Sequence, residues 1–276
     1  MRGVPQLSLF SADARPPRLG DLAGLLCGPG RILRFGEGLT ARISVDVADA
    51  ARAAAVRGAA APFGITFEPG ARTCAGRELR TAYRRDLASL ALTWTEARRK
   101  AVPEGFQLDG TALRLWAVAS GRGDGRGGYL LPLDPAAPET HAPLIAAATR
   151  LGLPPARISL PACPACRARA DLERAGPEPP PGRRIDLTDR AESDPTDPTD
   201  HADGRETAVG EPAVVTTCRP HHLALAPPDP RECPAAGPAL RLSGARRMHR
   251  LVELVGPAPD GVDPAEWPRH WGRSAG

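Results

Sequence analysis

Four side chains stand in two short pairs that suit a soft metal: Cys163 and Cys166 in CPAC, and Cys218 and His221 in CRPH. Three thiolates and one imidazole would complete a tetrahedral zinc site, with His222 and Cys233 as spare donors. Such a clip would close a loop of about fifty residues across a stretch with little else to hold it. The competing reading leaves these thiols reduced and unliganded, because the gap is long and its flanks are low in complexity. Other constellations are weaker. The glycine-rich run GRGDGRGG at residues 121–128 lacks the Lys-Ser ending of a phosphate loop and follows a helical stretch. Ser, His and Asp fall in no nucleophile-elbow or triad spacing.

A second group carries charge rather than reactivity. Arg31, Arg34 and Arg42, and later Arg157 and Arg241, fall in stretches that read as strands. On one shared face they would contact phosphates; the alternative is a solvated exposed face. Composition blunts the choice: Lys plus Arg total 36, yet only Lys100 is a lysine, a skew of the kind GC-rich bacterial coding imposes. A net charge of +4 permits a nucleic-acid partner without demanding one, and 4% aromatic residues are sparse for a base-stacking platform.

The elements that must position these residues alternate. Apolar residues make up 42% of 276, but 32 prolines and 29 glycines require linker somewhere. Residues 19–27 read as a short helix. Strands are expected at 31–35 and 41–47, the latter with Ile43, Val45 and Val47 at a period of two. Asp49 caps a helix from 50 to about 61, ended by Gly64. A strand at 65–68 and a helix over 78–98 follow. The order then recurs: helix 111–120, strand 129–134 placed at a sheet edge by Pro132, helix 139–152, strands 156–160 and 239–243, helix 245–255. Residues 162–236 are acidic, proline-rich and without apolar period, which reads as a disordered insertion. The predicted organisation is therefore a tail at 1–17, a first repeat at 18–98 and a linker at 99–109. A second repeat covers 110–161 and 237–256, interrupted by the insertion, and a C-terminal tail covers 257–276. No run approaches the roughly 18 apolar residues of a membrane span, and no secretory signal stands out, so a cytoplasmic, nucleoid-compatible protein is expected.

Residues 22–30 read LAGLLCGPG, and 113–121, at the same place in the second copy, read LRLWAVASG. The first resembles the LAGLIDADG signature, with Cys27 and Pro29 where its two aspartates stand; the second has Val118 and Ser120 there. The resemblance implies an α+β fold, a duplicated LAGLIDADG-like (αββαββα) pseudo-dimer that is monomeric through its internal symmetry, with sheets suited to DNA. Nucleases of that family use one acid from each signature helix to hold catalytic metal. Pro29 and Ser120 carry no carboxylate, which implies a non-enzymatic body. ARISVDVADAARAAAV, RLWAVASGRGDGRGGYLLPLD and ALRLSGARRMHRLVELVG further resemble WhiA-type bacterial regulators. The stretch after Val255 has no counterpart of their helix-turn-helix.

The amino-terminal tail holds QLSLF: Gln6, Leu7, Ser8, Leu9 and Phe10. It resembles the bacterial sliding-clamp-binding consensus at every letter. The resemblance implies that Leu9 and Phe10 fill the clamp pocket, with Gln6 hydrogen-bonding beside it; the alternative is a staple folded onto the protein's own body. Together these readings imply a clamp-tethered accessory protein of DNA replication or repair. A WhiA-like regulator acting through a partner and a zinc-binding module are the alternatives.

Overall fold

The computed structural model describes residues 12, 15–73, 76–161, 167–168 and 236–270. They belong to one unit, formed by Met1–Leu172 and Pro228–Gly276.

Local rules start most elements. A 3-10 turn, Leu19–Leu22, leads into α1, Ala23–Cys27. The strands β1, Arg31–Phe35, and β2, Thr40–Val47, pair antiparallel with Ile32 opposite Ile43. The Asp49 carboxylate accepts the Arg52 N–H at 2.7 Å and so opens α2, Ala50–Ala60. Asp109 does the same for α4, Gly110–Ser120, through the Ala112 N–H at 2.9 Å. Between them lie β3, Glu68–Thr73, β4, Gly76–Arg80, α3, Ala88–Trp94, and a hairpin of β5, Thr95–Glu96, with β6, Arg99–Lys100. After α4 come β7, Arg122–Gly123, β8, Tyr129–Pro132, α5, His141–Arg150, β9, Ala156–Leu160, β10, Gly237–Leu242, and α6, Ala245–Val255.

Two four-stranded antiparallel sheets result, ordered β1-β2-β4-β3 and β7-β8-β10-β9. The two orders correspond strand for strand. Leaving aside 3-10 turns and the small hairpin, helix–strand–strand–helix–strand–strand–helix occurs twice along the described chain. The first sheet buries Ile32, Ile43, Val45, Val47 and Leu79 on one face; in the second, Tyr129, Leu131, Leu240 and Leu242 share a buried face, and Leu130 and Ala239 are buried on the other. The helix α4 is the hub, touching β2 of one sheet, β8 of the other, and α1, α2 and α6. Its approach to α1 depends on Gly24, where an added Cβ would lie 2.0 Å from the Ala112 carbonyl oxygen. Arg52, buried on α2, donates to the carbonyls of Ala117 and Val118 and pairs with Glu266 at 2.6 Å, joining α2, α4 and the C-terminal segment. Trp267 packs back onto the body and donates to the Gly256 carbonyl at 2.9 Å.

Three expectations need correction. The helix expected over 78–98 is a strand, a turn and the shorter α3. Leu79 pairs with Val45 and is fully buried, and the Thr81 and Arg84 N–H groups go to the Ile43 and Ala41 carbonyls, so this stretch continues alongside β2. The buried stripe of α3 starts only at Leu87, with Leu90, Ala91 and Trp94. The strand expected at 65–68 begins instead at Glu68. Ile65 and Phe67 are buried in the approach to it, and Arg57 takes the Phe67 carbonyl at 3.0 Å. Finally, β8 is interior rather than an edge. The Leu133 N–H points to Pro238 on β10, so the Pro132 nitrogen faces the other side, where β7 pairs only with Leu130 and Tyr129 and does not reach.

Candidate functional site

The end of α1 meets the end of α4. A Cβ at Gly28 would come 2.8 Å from the Ser120 hydroxyl and 3.0 Å from the Trp116 indole nitrogen. The charged group at this junction comes from neither helix. The Lys100 ammonium donates to the carbonyls of Gly28 at 2.5 Å and Gly30 at 2.8 Å, and to the Asp134 carboxylate at 2.9 Å. Three N–H donors meet three acceptors, so the amine is saturated. Burial pushes the Lys100 pKa down, and Asp134 pulls it back up. Asp134 is itself held: its other oxygen accepts the Ala136 N–H, and its carbonyl accepts from His141 Nε2 at 2.7 Å. A carbonyl only accepts, so Nε2 carries the proton; the buried Nδ1 has no partner.

The strand registers separate the five expected arginines rather than gathering them. Arg31 and Arg42 share the outward face of the first sheet, opposite Ser44 and Leu33 respectively; Arg34, opposite buried Ala41, stands on the other face at the hairpin end. Arg241 and Arg157 likewise occupy opposite faces of the second sheet, since Arg157 pairs with Leu240. Arg241 is engaged, its guanidinium 2.8 and 2.7 Å from Asp124. Burial opposes ionisation of Asp124, but the N–H groups of Arg126 and Gly128 and the Arg241 guanidinium outweigh it and hold its pKa below the usual value. Arg31 is loosely paired, 3.6 Å from Glu78 and 3.8 Å from Asp46.

Along the outward face of β2, three successive side chains hold buried polar atoms without a hydrogen-bond partner: Arg42 Nε, Ser44 Oγ and Asp46 Oδ1. Burial raises the Asp46 pKa; Arg31 opposes this, and Glu78 and Asp134 add to it. At the hairpin end of the same face, the Phe35 and Tyr83 rings lie 5.2 Å apart, and the Arg42 guanidinium sits 4.9 Å over the Tyr83 ring. Leu33, Phe35, Leu39 and Tyr83 are four of the five large apolar side chains exposed among the described residues, Leu92 being the fifth. A cleft of about 550 Å³ opens between this hairpin and the β5–β6 turn, with Arg34, Phe35 and Arg98 in its lining. Ala97 and Arg98 form that turn in the left-handed region, φ 46° and 65°, the geometry of a tight two-residue hairpin reached without glycine.

The zinc candidates Cys163, Cys166, Cys218 and His221 lie outside the described residues, as do Gln6, Leu7, Ser8, Leu9 and Phe10. Among the described residues no group of three or more His, Cys, Asp or Glu could hold a metal ion. Cys27 is fully buried, which pushes its thiol pKa up and keeps it inert. Ala12, two residues past Phe10 in sequence, is bonded to the body. The Ala12 N–H donates to the Leu254 carbonyl at 2.9 Å, and its carbonyl accepts from the Thr111 hydroxyl at 3.3 Å. Arg15 then pairs with Asp21 at 2.5 Å and with Asp109. Sequence reasoning missed Lys100, Asp134 and the Phe35–Tyr83 pair. A usable signal existed for the first, since it is the chain's single lysine.

The fold defines an α+β protein with two similarly built antiparallel sheets. No protein-family model and no curated protein sequence matches the chain. Among solved structures, the homing endonuclease I-WcaI bound to its DNA recognition sequence is similar at a TM-score of 0.38 and 12% identity, over 50% of this chain and 69% of that one. The likeness is distant and partial. No helix among the described residues is long and apolar enough to cross a membrane.

Proposed function

We propose that this chain is a non-catalytic, nucleic-acid-associated body that residues 6–10 tie to the bacterial sliding clamp. The observation that carries the non-catalytic half is the saturated Lys100 ammonium at the meeting of α1 and α4. On the LAGLIDADG resemblance, metal-binding carboxylates would stand at Pro29 and Ser120. Here neither position has a carboxylate, and the acid at this junction, Asp134, is already engaged by the Lys100 ammonium rather than free for a divalent ion. Incubation with supercoiled DNA and Mg²⁺ or Mn²⁺ therefore leaves the DNA uncut.

QLSLF supports the tether. Only Ser11 separates Phe10 from Ala12, so Phe10 stays within about 7 Å of a residue bonded to the body. Burying Leu9 and Phe10 against ordering costs gives a Kd on the order of micromolar. The competing seat is the protein's own cleft of about 820 Å³, which Ala12 and Arg15 border. Titration of purified clamp against the full chain and a Leu9→Ala/Phe10→Ala variant tests the tether. A complex with the first and none with the second supports it. No complex with either removes the clamp from the proposal.

A further inference from the structure

Aromatic residues are sparse in this chain, but the fold places two of its exposed rings together beside unpaired cations. Phe35 is 64% exposed and Tyr83 42%. Their backbones are fixed, Phe35 by its pairing with Thr40 and Tyr83 by the bridge between the next residue, Arg84, and Ala41. Arg42 stacks on Tyr83 with its Nε–H buried and unpartnered. Arg34 and Arg98 line the adjoining cleft, and neither they nor Arg42 form an ion pair among the described residues; Glu37 is the single acid in that lining. Exposed rings offer stacking faces, and cations without carboxylates call for an anion alongside. A purely apolar protein partner would bury these guanidinium groups without compensation. A duplex keeps its bases stacked on one another and has no free base face for Phe35. The complement that satisfies rings and cations together is a strand with unpaired bases.

We propose that the β1–β2 hairpin end, through Phe35, Tyr83 and Arg42, is a stacking site for single-stranded DNA. An unpaired base lies on the outer face of Phe35, and Arg42, on the same sheet face and stacked on Tyr83, receives a flanking phosphate. This deepens the nucleic-acid half of the reading above and rests on it; it does not depend on the clamp.

The test is fluorescence anisotropy with a labelled oligo-dT of about 12 nucleotides, within the size one such platform covers, against a duplex of equal length. The intact protein binds the strand more tightly than the duplex. Phe35→Ala and Tyr83→Ala each weaken strand binding roughly tenfold, and Arg42→Ala weakens it and flattens its salt dependence. Phe35→Trp preserves binding while Phe35→Leu loses it, a contrast that separates a π face from mere apolar surface and from misfolding. Equal affinity for the duplex, full affinity in Phe35→Leu, or no binding to either nucleic acid overturns the inference. Clamp titration of the same proteins reads the tether separately, so its failure is not mistaken for loss of the strand site.

Discussion

Lys100 is a buried cation whose worth lies in the acceptors it satisfies. Replacing it with methionine leaves the Asp134 carboxylate and two carbonyls facing one another with little water. We expect Lys100→Met to lower unfolding free energy by about 3–5 kcal/mol in denaturant titration. Adding Asp134→Asn recovers part of that loss, because the uncompensated charge is gone. Asp46 has the opposite character. Its native carboxyl holds a proton above the ordinary value of 3.8, chiefly because it is buried. Its contribution is therefore favourable below pH 3.8 and is lost as pH rises through the native pKa. Asp46→Asn should raise the melting temperature near pH 7, with the gain closing as the pH falls to about 4. An equal gain at both pH values would show that the charge is not the cause.

At the scale of elements, the contact of α1 with α4 turns on one missing Cβ. Alanine in place of glycine within a helix ordinarily stabilises by about 1 kcal/mol. At Gly24 the sign reverses, because the new methyl would collide with backbone rather than with a flexible side chain. Gly24→Ala should destabilise by about 2–3 kcal/mol, measured by denaturant unfolding. Elements set by nearest neighbours were legible beforehand. The Asp49 cap, the β1 bounds and the α6 bounds agree with expectation because capping and apolar period act over a few residues. The long helix failed for the same reason: Leu79, Tyr83 and Leu87 recur every four residues, yet the backbone between them bonds to β2, thirty-eight residues away at the Thr81–Ile43 pair. The faces of the arginines were not legible either, since one-residue register differences send Arg34 and Arg157 to faces opposite Arg42 and Arg241.

For the whole molecule, α4 holds both sheets while Arg52, Glu266 and Trp267 draw the C-terminal segment onto the same hub. Ala12 bonds to α4 and α6, whereas the Phe35–Tyr83 pair belongs to the first sheet's outward face. The two proposed interactions are accordingly expected to be separable: Leu9→Ala/Phe10→Ala should leave oligo-dT affinity unchanged, and Phe35→Ala should leave clamp affinity unchanged, by paired titrations. Coupled loss would contradict that independence.

From the amino-acid order alone came the caps, the alternating strands, the recurring element order and the absence of carboxylates at Pro29 and Ser120. Each depends on residues within a few positions of one another or on identity itself. Only the tertiary structure joined Lys100 to Gly28 and Asp134, seventy-two and thirty-four residues distant, and set Tyr83 against Phe35. Such pairs arise when burial of separate apolar faces draws remote segments together, and neither period nor propensity along the chain encodes which remote neighbours will meet.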